Sequence, residues 1–374
     1  MQRIFTPIAT VIFLLLITAC GKSTSDPYNP NPPTPLDKKN LILMIGDGMG
    51  LSQITAASVA NGGYLNIERC RHIGLQKVYA SDKLVPSSAS TATAMACGVK
   101  TKYLHIGVDH EGNRIPNIIE ILEPANYSTG LITTSFIADA TPVCFFAHNT
   151  DRYNQEEMAL ELPSSGLDVI IAGGRKYMNE RQDSLNLLDS LTHKGYRVFD
   201  NLAGAMQTSE GKIACFTDAG QPPKMSEGRG DMLSKASQLA IEVLETNKNG
   251  FFLMVEGAQV DWACHDHDAD FMLEEMLDFD DAVGKVLDYA ESNKNTLVVI
   301  LGDHETAGYA LSGGNESTGE VESLFSTSNH TATMIPVFAY GPGAEQFTGV
   351  YENTELFTKF INYFNLQPNH KNNR

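Results

Sequence analysis

The stretch Leu41-Ile-Leu-Met-Ile45 runs straight into Gly46-Asp-Gly-Met-Gly50. A short apolar run without polar alternation suits a strand covered on both faces, and the glycine-rich segment stops it. Runs of the same kind occupy 130–134, 168–172, 251–255, 296–301 and 334–340. Between them lie helical periods. In 232–245 the apolar residues Leu233, Ala236, Leu239, Ala240, Val243 and Leu244 fall on one face, and 271–289 and 355–364 behave likewise. This alternation predicts an α/β fold: a single doubly wound domain with a mostly parallel central sheet and helices on both faces. Ligands of such folds sit beyond the carboxyl ends of the strands.

Composition narrows the partners. The 374 residues include 27 Lys plus Arg and 45 Asp plus Glu, a net charge of −18. With 42% hydrophobic and 19% charged residues the chain is globular, not disordered or collagen-like. The acidic balance argues against nucleic-acid binding, which needs clustered Lys and Arg. An anionic substrate would require a site whose local field opposes the global one. Beyond Cys20, the cysteines Cys70, Cys97, Cys144, Cys215 and Cys264 form no CxxC pair and read as small buried apolar residues.

The first residues read as address rather than fold. Arg3 precedes a mostly apolar stretch over 4–18, too short for a comfortable membrane span of about 20 residues. Ile17-Thr-Ala-Cys20 resembles a lipobox. Expected are therefore a signal peptide over 1–19, a lipidated Cys20 with a Pro-rich tether over 20–38, and a catalytic domain over 39–374. The five prolines of the tether favour an extended chain of about 3.1 Å per residue. A lipid-anchored location in a bacterial cell envelope follows, with Gly21 after the cysteine pointing to the outer membrane.

The strand ends hold the chemistry. They supply Asp47, Asp139, Glu256 with Asp261 and His265, Asp303 with His304, and His330. Singly, each has a structural explanation: a turn, a helical i,i+4 pair, a strand terminus. Jointly, five carboxylates beside three imidazoles would repel one another unless cations neutralised them. Asp, Glu and His suit Zn²⁺ and Mg²⁺. A second constellation is Ser88-Ala-Ser-Thr-Ala-Thr-Ala94, where a serine enters a run of small residues; it is either a helix cap or an anion site at a helix N-terminus. A third is Asp139-Ala-Thr-Pro142 with Arg152, either a surface arginine or a planar fork for two phosphate oxygens.

In this order, these motifs resemble the alkaline phosphatase family. Ile45-Gly-Asp-Gly-Met-Gly50 looks like its first metal loop, Ser88 its nucleophile, and Asp139-Ala-Thr-Pro with Arg152 its third-metal and phosphate-arginine block. The stretch 168–178, then 255–265, Gly302-Asp-His-Glu305 and Asn329-His-Thr331 complete the likeness. The resemblance implies that Asp261, His265 and His330 bind one Zn²⁺. It implies that Asp47, Asp303 and His304 bind a second, whose open position faces Ser88. Asp47 would also reach a third site with Thr141 and Glu256, usually Mg²⁺, which Asp139 touches through water. Arg152 would hold the remaining phosphate oxygens. The implied reaction is hydrolysis of phosphate monoesters through a phosphoserine, at paired zinc ions about 4 Å apart. Three divalent ions would carry one more positive charge than the five carboxylates carry negative, which makes the site locally positive. The resemblance also implies a homodimer, for which the residues show no interface.

Three departures stand out. Ser87 precedes the nucleophile where the family often has an arginine-orienting Asp, so Arg152 is expected to be looser and phosphate more easily released. Trp262 follows Asp261 where other members carry Lys or His. Only 25 residues separate His304 from His330, so the family's crown insertion is minimal and a compact, open site is expected. The alternatives are a phosphodiesterase or sulfatase of the same superfamily, and a non-catalytic lipoprotein that stores phosphate or metal.

Overall fold

The six apolar runs become the six central strands of one ten-stranded sheet. The structure, a computed structural model, describes residues 38–367. The expected signal peptide, the lipidated Cys20 and the tether as far as Asp37 lie outside the described residues. The strands are β1 (Lys39–Gly46), β2 (His72–Lys77), β3 (Ser128–Phe136), β4 (Val169–Gly173), β5 (Tyr196–Phe199), β6 (Lys212–Phe216) and β7 (Gly250–Gly257). They continue as β8 (Thr296–Gly302), β9 (Glu305–Thr306), β10 (Tyr309–Asn315), β11 (Glu320–Phe325), β12 (His330–Thr331), β13 (Ile335–Tyr340) and β14 (Gly349–Glu352). The main sheet runs β14-β2-β13-β8-β1-β7-β3-β4-β6-β5, and within it β13 alone opposes the common direction.

β1 shows why the sheet must be covered twice. Leu41, Leu43 and Ile45 enter the core beneath helices Ser88–Cys97 and Thr354–Tyr363. Ile42 and Met44 enter the opposite core, under helices Leu51–Ala60, Met232–Leu244 and Ala269–Asn293. All five side chains are fully buried. Truncating any of them to Ala would cost about 2–5 kcal/mol through lost transfer energy and a cavity.

Between His304 and His330 the chain forms the two-residue strand β9 and the antiparallel β10–β11 hairpin. β9 and β12 flank it and pair His330 with Thr306 and Thr331 with Glu305. That small ladder carries His330 back to the end of β8. The five cysteines among the described residues are free and buried. Burial pushes the thiols of Cys70, Cys144 and Cys215 up to about 12, so they pack as inert apolar groups. Among the described residues no helix is long and apolar enough to cross a membrane.

Candidate active site

Four neighbouring parallel strands, in the order β8-β1-β7-β3, end side by side. Ile45 is in register with Glu256, Gly46 with Gly302, and Thr133 with Glu256. The residues that end these strands are therefore forced together: Asp303 and His304 from β8, Asp47 from β1, Glu256 from β7, and Asp139 and Thr141 after β3. The helix Gln259–His265 adds Asp261 and His265 one turn apart. Gly48 lets the Asp47 loop close onto this helix. Its φ is +78°, and a Cβ there would stand 2.7 Å from the Asp261 Cα.

Two groups of metal-ligating type result, Asp261-His265-His330 and Asp47-Asp303-His304, each with its ligand atoms within 4.8 Å of one another. In the first, His265 Nδ1 donates to the Ser328 carbonyl at 2.7 Å and His330 Nδ1 to the Pro86 carbonyl at 3.0 Å. A carbonyl only accepts, so both protons lie on Nδ1 and both Nε2 atoms turn inward. They face each other at 3.1 Å and Asp261 at 3.4 Å. In the second group, Thr306 donates its hydroxyl proton to Asp261 and so accepts from His304 Nδ1 at 3.2 Å. His304 Nε2 then faces Asp303 at 3.2 Å, Asp47 at 3.5 Å and the Ser88 hydroxyl at 3.2 Å. The His304 and His330 rings stack with centroids 3.6 Å apart, which joins the two groups.

The electrostatics demand a cation. Burial, then Asp303, Asp261 and Glu256, raise the Asp47 carboxyl well above its ordinary range. Burial also raises Asp303 to about 6, against a hydrogen bond from the Gly48 N–H. Burial and Asp139 raise Glu256. Asp261 goes the other way: burial opposes its ionisation, but His265 and His330 overcome it. Asp47 Oδ1 and Glu256 Oε1 are buried with no hydrogen-bond partner. Unpartnered carboxylate oxygens and inward-turned imidazole nitrogens form the donor set of a divalent ion, and the residues present fit such ions.

Ser88 opens the helix Ser88–Cys97, in which all ten residues are buried. Ser87 caps it, accepting from the Ser90 N–H and donating to the Tyr103 carbonyl. The Ser87 side chain is thus engaged away from Arg152. Arg152 instead donates to Asp139 Oδ1 at 3.3 Å, and Asp139 also accepts from Ser135 at 2.6 Å. Thr141 Oγ1 lies 3.4 Å from Asp47 Oδ2. Trp262 is half-buried against the core and places no charge at the site.

The structure gathers Asp47, Thr141, Asp261, His265, Asp303, His304 and His330 in these groups, and the sequence reading does not anticipate the residues that support them. Thr91 donates to Asp303 at 3.1 Å, Thr133 donates to Glu256, and Thr306 bridges the two groups. Glu305 accepts from Gln53 at 3.0 Å, from the Tyr309 N–H at 2.9 Å and from Thr331. The signal was adjacency: Thr306 and Glu305 follow the Asp303-His304 pair, and Thr91 lies one helical turn after Ser88.

With this geometry the comparisons agree. The sequence model of the alkaline phosphatase family matches residues 38–324. Alkaline phosphatase 3 of Bacillus subtilis is 29% identical over 411 residues, covering 85% of this chain and 87% of the relative. The alkaline phosphatase of Escherichia coli is 28% identical over 397 residues, covering 85% and 84%. The solved alkaline phosphatase of the Antarctic bacterium TAB5 superimposes with a TM-score of 0.84 at 39% identity, covering 88% of this chain and 98% of that one. A variant of that enzyme was solved with Mg bound in its M3 site. The chain belongs to the alkaline phosphatase family and is an enzyme of that class.

Proposed function

We propose that the enzyme hydrolyses phosphate monoesters through a phosphoserine on Ser88, with two Zn²⁺ and one Mg²⁺ as cofactors. Asp261, His265 and His330 would hold one zinc, and Asp47, Asp303 and His304 the other. Asp47, Thr141 and Glu256 would hold the magnesium, with Asp139 beside it. The Mg in the TAB5 variant supports that assignment. Bound zinc supplies Lewis-acid chemistry: it lowers the pKa of a nearby hydroxyl and neutralises developing charge.

The chain's own residues do the rest. Ser88 presents its Oγ at the N-terminus of a ten-residue helix, where free N–H groups and the dipole favour an anion. Its hydroxyl gives up its proton to solvent and its oxygen bonds to phosphorus while the ester P–O bond breaks and the departing oxygen takes a proton from water. A second water then attacks phosphorus, the bond from the Ser88 oxygen to phosphorus breaks, and Ser88 takes back a proton through solvent as inorganic phosphate leaves. Arg152, steered by Asp139, presents its planar fork to the phosphate oxygens.

The observation that carries this reading is the Ser88 hydroxyl 3.2 Å from an inward-turned His304 Nε2, between two carboxylates. The test is isolation of labelled phosphoserine at Ser88 from protein quenched during monoester turnover. Ser88→Ala is expected to lose about a thousandfold or more in kcat. Faster hydrolysis of a diester or a sulfate ester would favour the sister activities. Phosphate binding with no phosphoserine would favour a store. The envelope location, the lipid on Cys20 and a homodimer complete the proposal. Incorporation of labelled palmitate that Cys20→Ser abolishes, and the mass of the detergent-free domain, test them.

A further inference from the structure

The loop after the helix Ala140–Val143 delivers Arg152, and it is pinned along its length. Ile106 and Asn149 exchange two backbone hydrogen bonds of 2.8 Å, and the Arg152 N–H donates to the Leu104 carbonyl at 3.0 Å. Next to the first pin, one residue before Asn149, lies His148, whose side chain is only 4% exposed. Its Nδ1 is 3.3 Å from Glu161 Oε2, and its Nε2 is 2.9 Å from the Ile115 carbonyl and 3.4 Å from Glu120 Oε2. Every one of these oxygens is an acceptor. Both ring nitrogens must therefore donate, so the ring carries two protons and a positive charge. The His148 backbone N–H donates to Glu161 Oε1 at 2.8 Å, so this carboxylate grips the residue twice.

The surroundings are built for that charge. Glu120 comes from the helix Ile118–Leu122 and Glu161 from the segment after the helix Gln155–Ala159. Arg114 closes the cluster at 2.6 Å from Glu120 and 3.0 Å from Glu161, and its charge opposes that of the ring. Gly107, at φ +59°, brings the Leu104 segment flush against the loop. A Cβ there would stand 2.4 Å from the Ala147 carbonyl and 2.9 Å from the His148 ring. Burial disfavours the charged ring, but Glu120 and Glu161 overcome it and lift it to about 9.

We propose that His148, as an imidazolium clamped by Glu161, Glu120 and the Ile115 carbonyl, is a positioning residue that latches the Arg152 loop, and that the grip on phosphate loosens when the ring loses one proton. A neutral ring would turn a bare nitrogen toward an oxygen about 3 Å away, and that repulsion is relieved only if the loop shifts. The inference rests on the reading of Arg152 as the phosphate ligand.

The test uses the metal-loaded enzyme. Nitrogen NMR of ¹⁵N-histidine-labelled protein, with His148 assigned by its loss in His148→Gln, is expected to show both nitrogens protonated at pH 7.5 and a midpoint near 9. A neutral ring at pH 7.5 overturns the proposal. In parallel, KM and the inhibition constant of inorganic phosphate are measured from pH 7.5 to 10 in wild type and His148→Gln. Phosphate should bind the variant about tenfold more weakly at pH 7.5, in KM and Ki rather than kcat, and the two proteins should converge at pH 10. Equal constants at pH 7.5, or a ratio that stays constant with pH, overturn it. Should His148→Gln fail to fold, Glu161→Gln should lower the NMR midpoint and carry the alkaline weakening of phosphate binding down with it; a weakening that stays put overturns the latch. A wild type that neither hydrolyses monoesters nor binds phosphate would defeat the reading of Arg152 instead, while the NMR arm still decides the charge on the ring.

Discussion

The two ligand groups share a wall but solve opposite problems. Asp261, His265 and His330 stand at the rim, with His265 half-exposed and its ring oriented by a loop carbonyl. Asp47, Asp303 and His304 lie at the sheet ends, all buried, with Asp303 and His304 wholly excluded from solvent. At the rim one carboxylate meets two imidazoles that can take protons, so the metal-free group neutralises itself. The Asp261 hydrogen bond lifts His265 to about 9. In the inner group two carboxylates meet one imidazole, and burial pushes His304 well below its ordinary range. It cannot lend a proton, so the carboxylates must take their own or wait for a cation. The lesson is that the inner group stores unfavourable charge in the folded chain, and a bound ion would release it as affinity.

The sharpest way to break that contrast is Asp303→Asn. In the metal-loaded enzyme it should cost about a thousandfold or more in kcat/KM, since it removes a ligand-type charge beside Ser88. In the metal-free protein the sign should invert. Asp303 is raised from 3.8 to about 6, so above pH 6 the folded chain bears a buried charge that the unfolded chain bears in water. The variant should then be more stable than wild type at pH 8, by about 1–3 kcal/mol. The gain should fade as the pH falls below 6 and vanish near pH 3, below both values, where the carboxyl is protonated in both states. Thermal melts of both proteins at pH 3 and pH 8, with and without metal, read this directly. A metal-free Asp303→Asn that melts below wild type at pH 8 would show that the inner charges are already compensated.

Thr306 tests whether the groups act as one. Its hydroxyl donates to Asp261 and accepts from His304, so Thr306→Val breaks both orienting bonds at once. Metal affinity by chelator competition should fall about 10–100-fold at both groups. Loss at one ion alone would show that the groups are independent. The rim's exposure gives a kinetic counterpart. Under EDTA the ion of the rim group should leave about tenfold faster than that of the inner group, and restoring one ion per chain should not restore full activity. Parallel loss of both ions would erase the distinction between rim and interior.

The same contrast between interior and margin governs what the sequence reveals. β13, β8, β1, β7, β3 and β4 are contiguous in the sheet, and their two-sided burial writes itself as unbroken apolar runs. β2 and β14 at one margin, and β5 at the other, read otherwise. His72-Ile-Gly-Leu-Gln-Lys77 and Tyr196-Arg-Val-Phe199 mix polar and apolar residues because one face meets water, and nothing in such short segments separates them from loops. At the site, residues whose side chains are charged and end buried strands were legible because charge there is costly and needs a reason. Thr91, Thr133 and Thr306 were not, since a hydroxyl satisfies itself anywhere. His148 is equally silent in the sequence. Its meaning lies in acceptors drawn from 115, 120 and 161, which spacing along the chain does not bring together.

The smallest expected effect concerns Ser87, where the sequence suggested a loosened arginine. The hydroxyl accepts from the Ser90 N–H and donates to the Tyr103 carbonyl, while Arg152 takes its orientation from Asp139. Asp caps a helix as well as Ser, so Ser87→Asp keeps the N-terminus of the nucleophile helix intact. A carboxylate cannot donate to Tyr103, however, and the two oxygens would repel. That loss should lower the melting temperature by a few degrees, about 1 kcal/mol. If the new carboxylate swings toward Arg152 to escape, the inhibition constant of phosphate should tighten about two- to threefold and turnover should slow to match. If the melting temperature falls but phosphate inhibition does not move, the side chain stays on the Tyr103 side. Asp139 and the latched loop would then set the arginine's grip without any contribution from position 87.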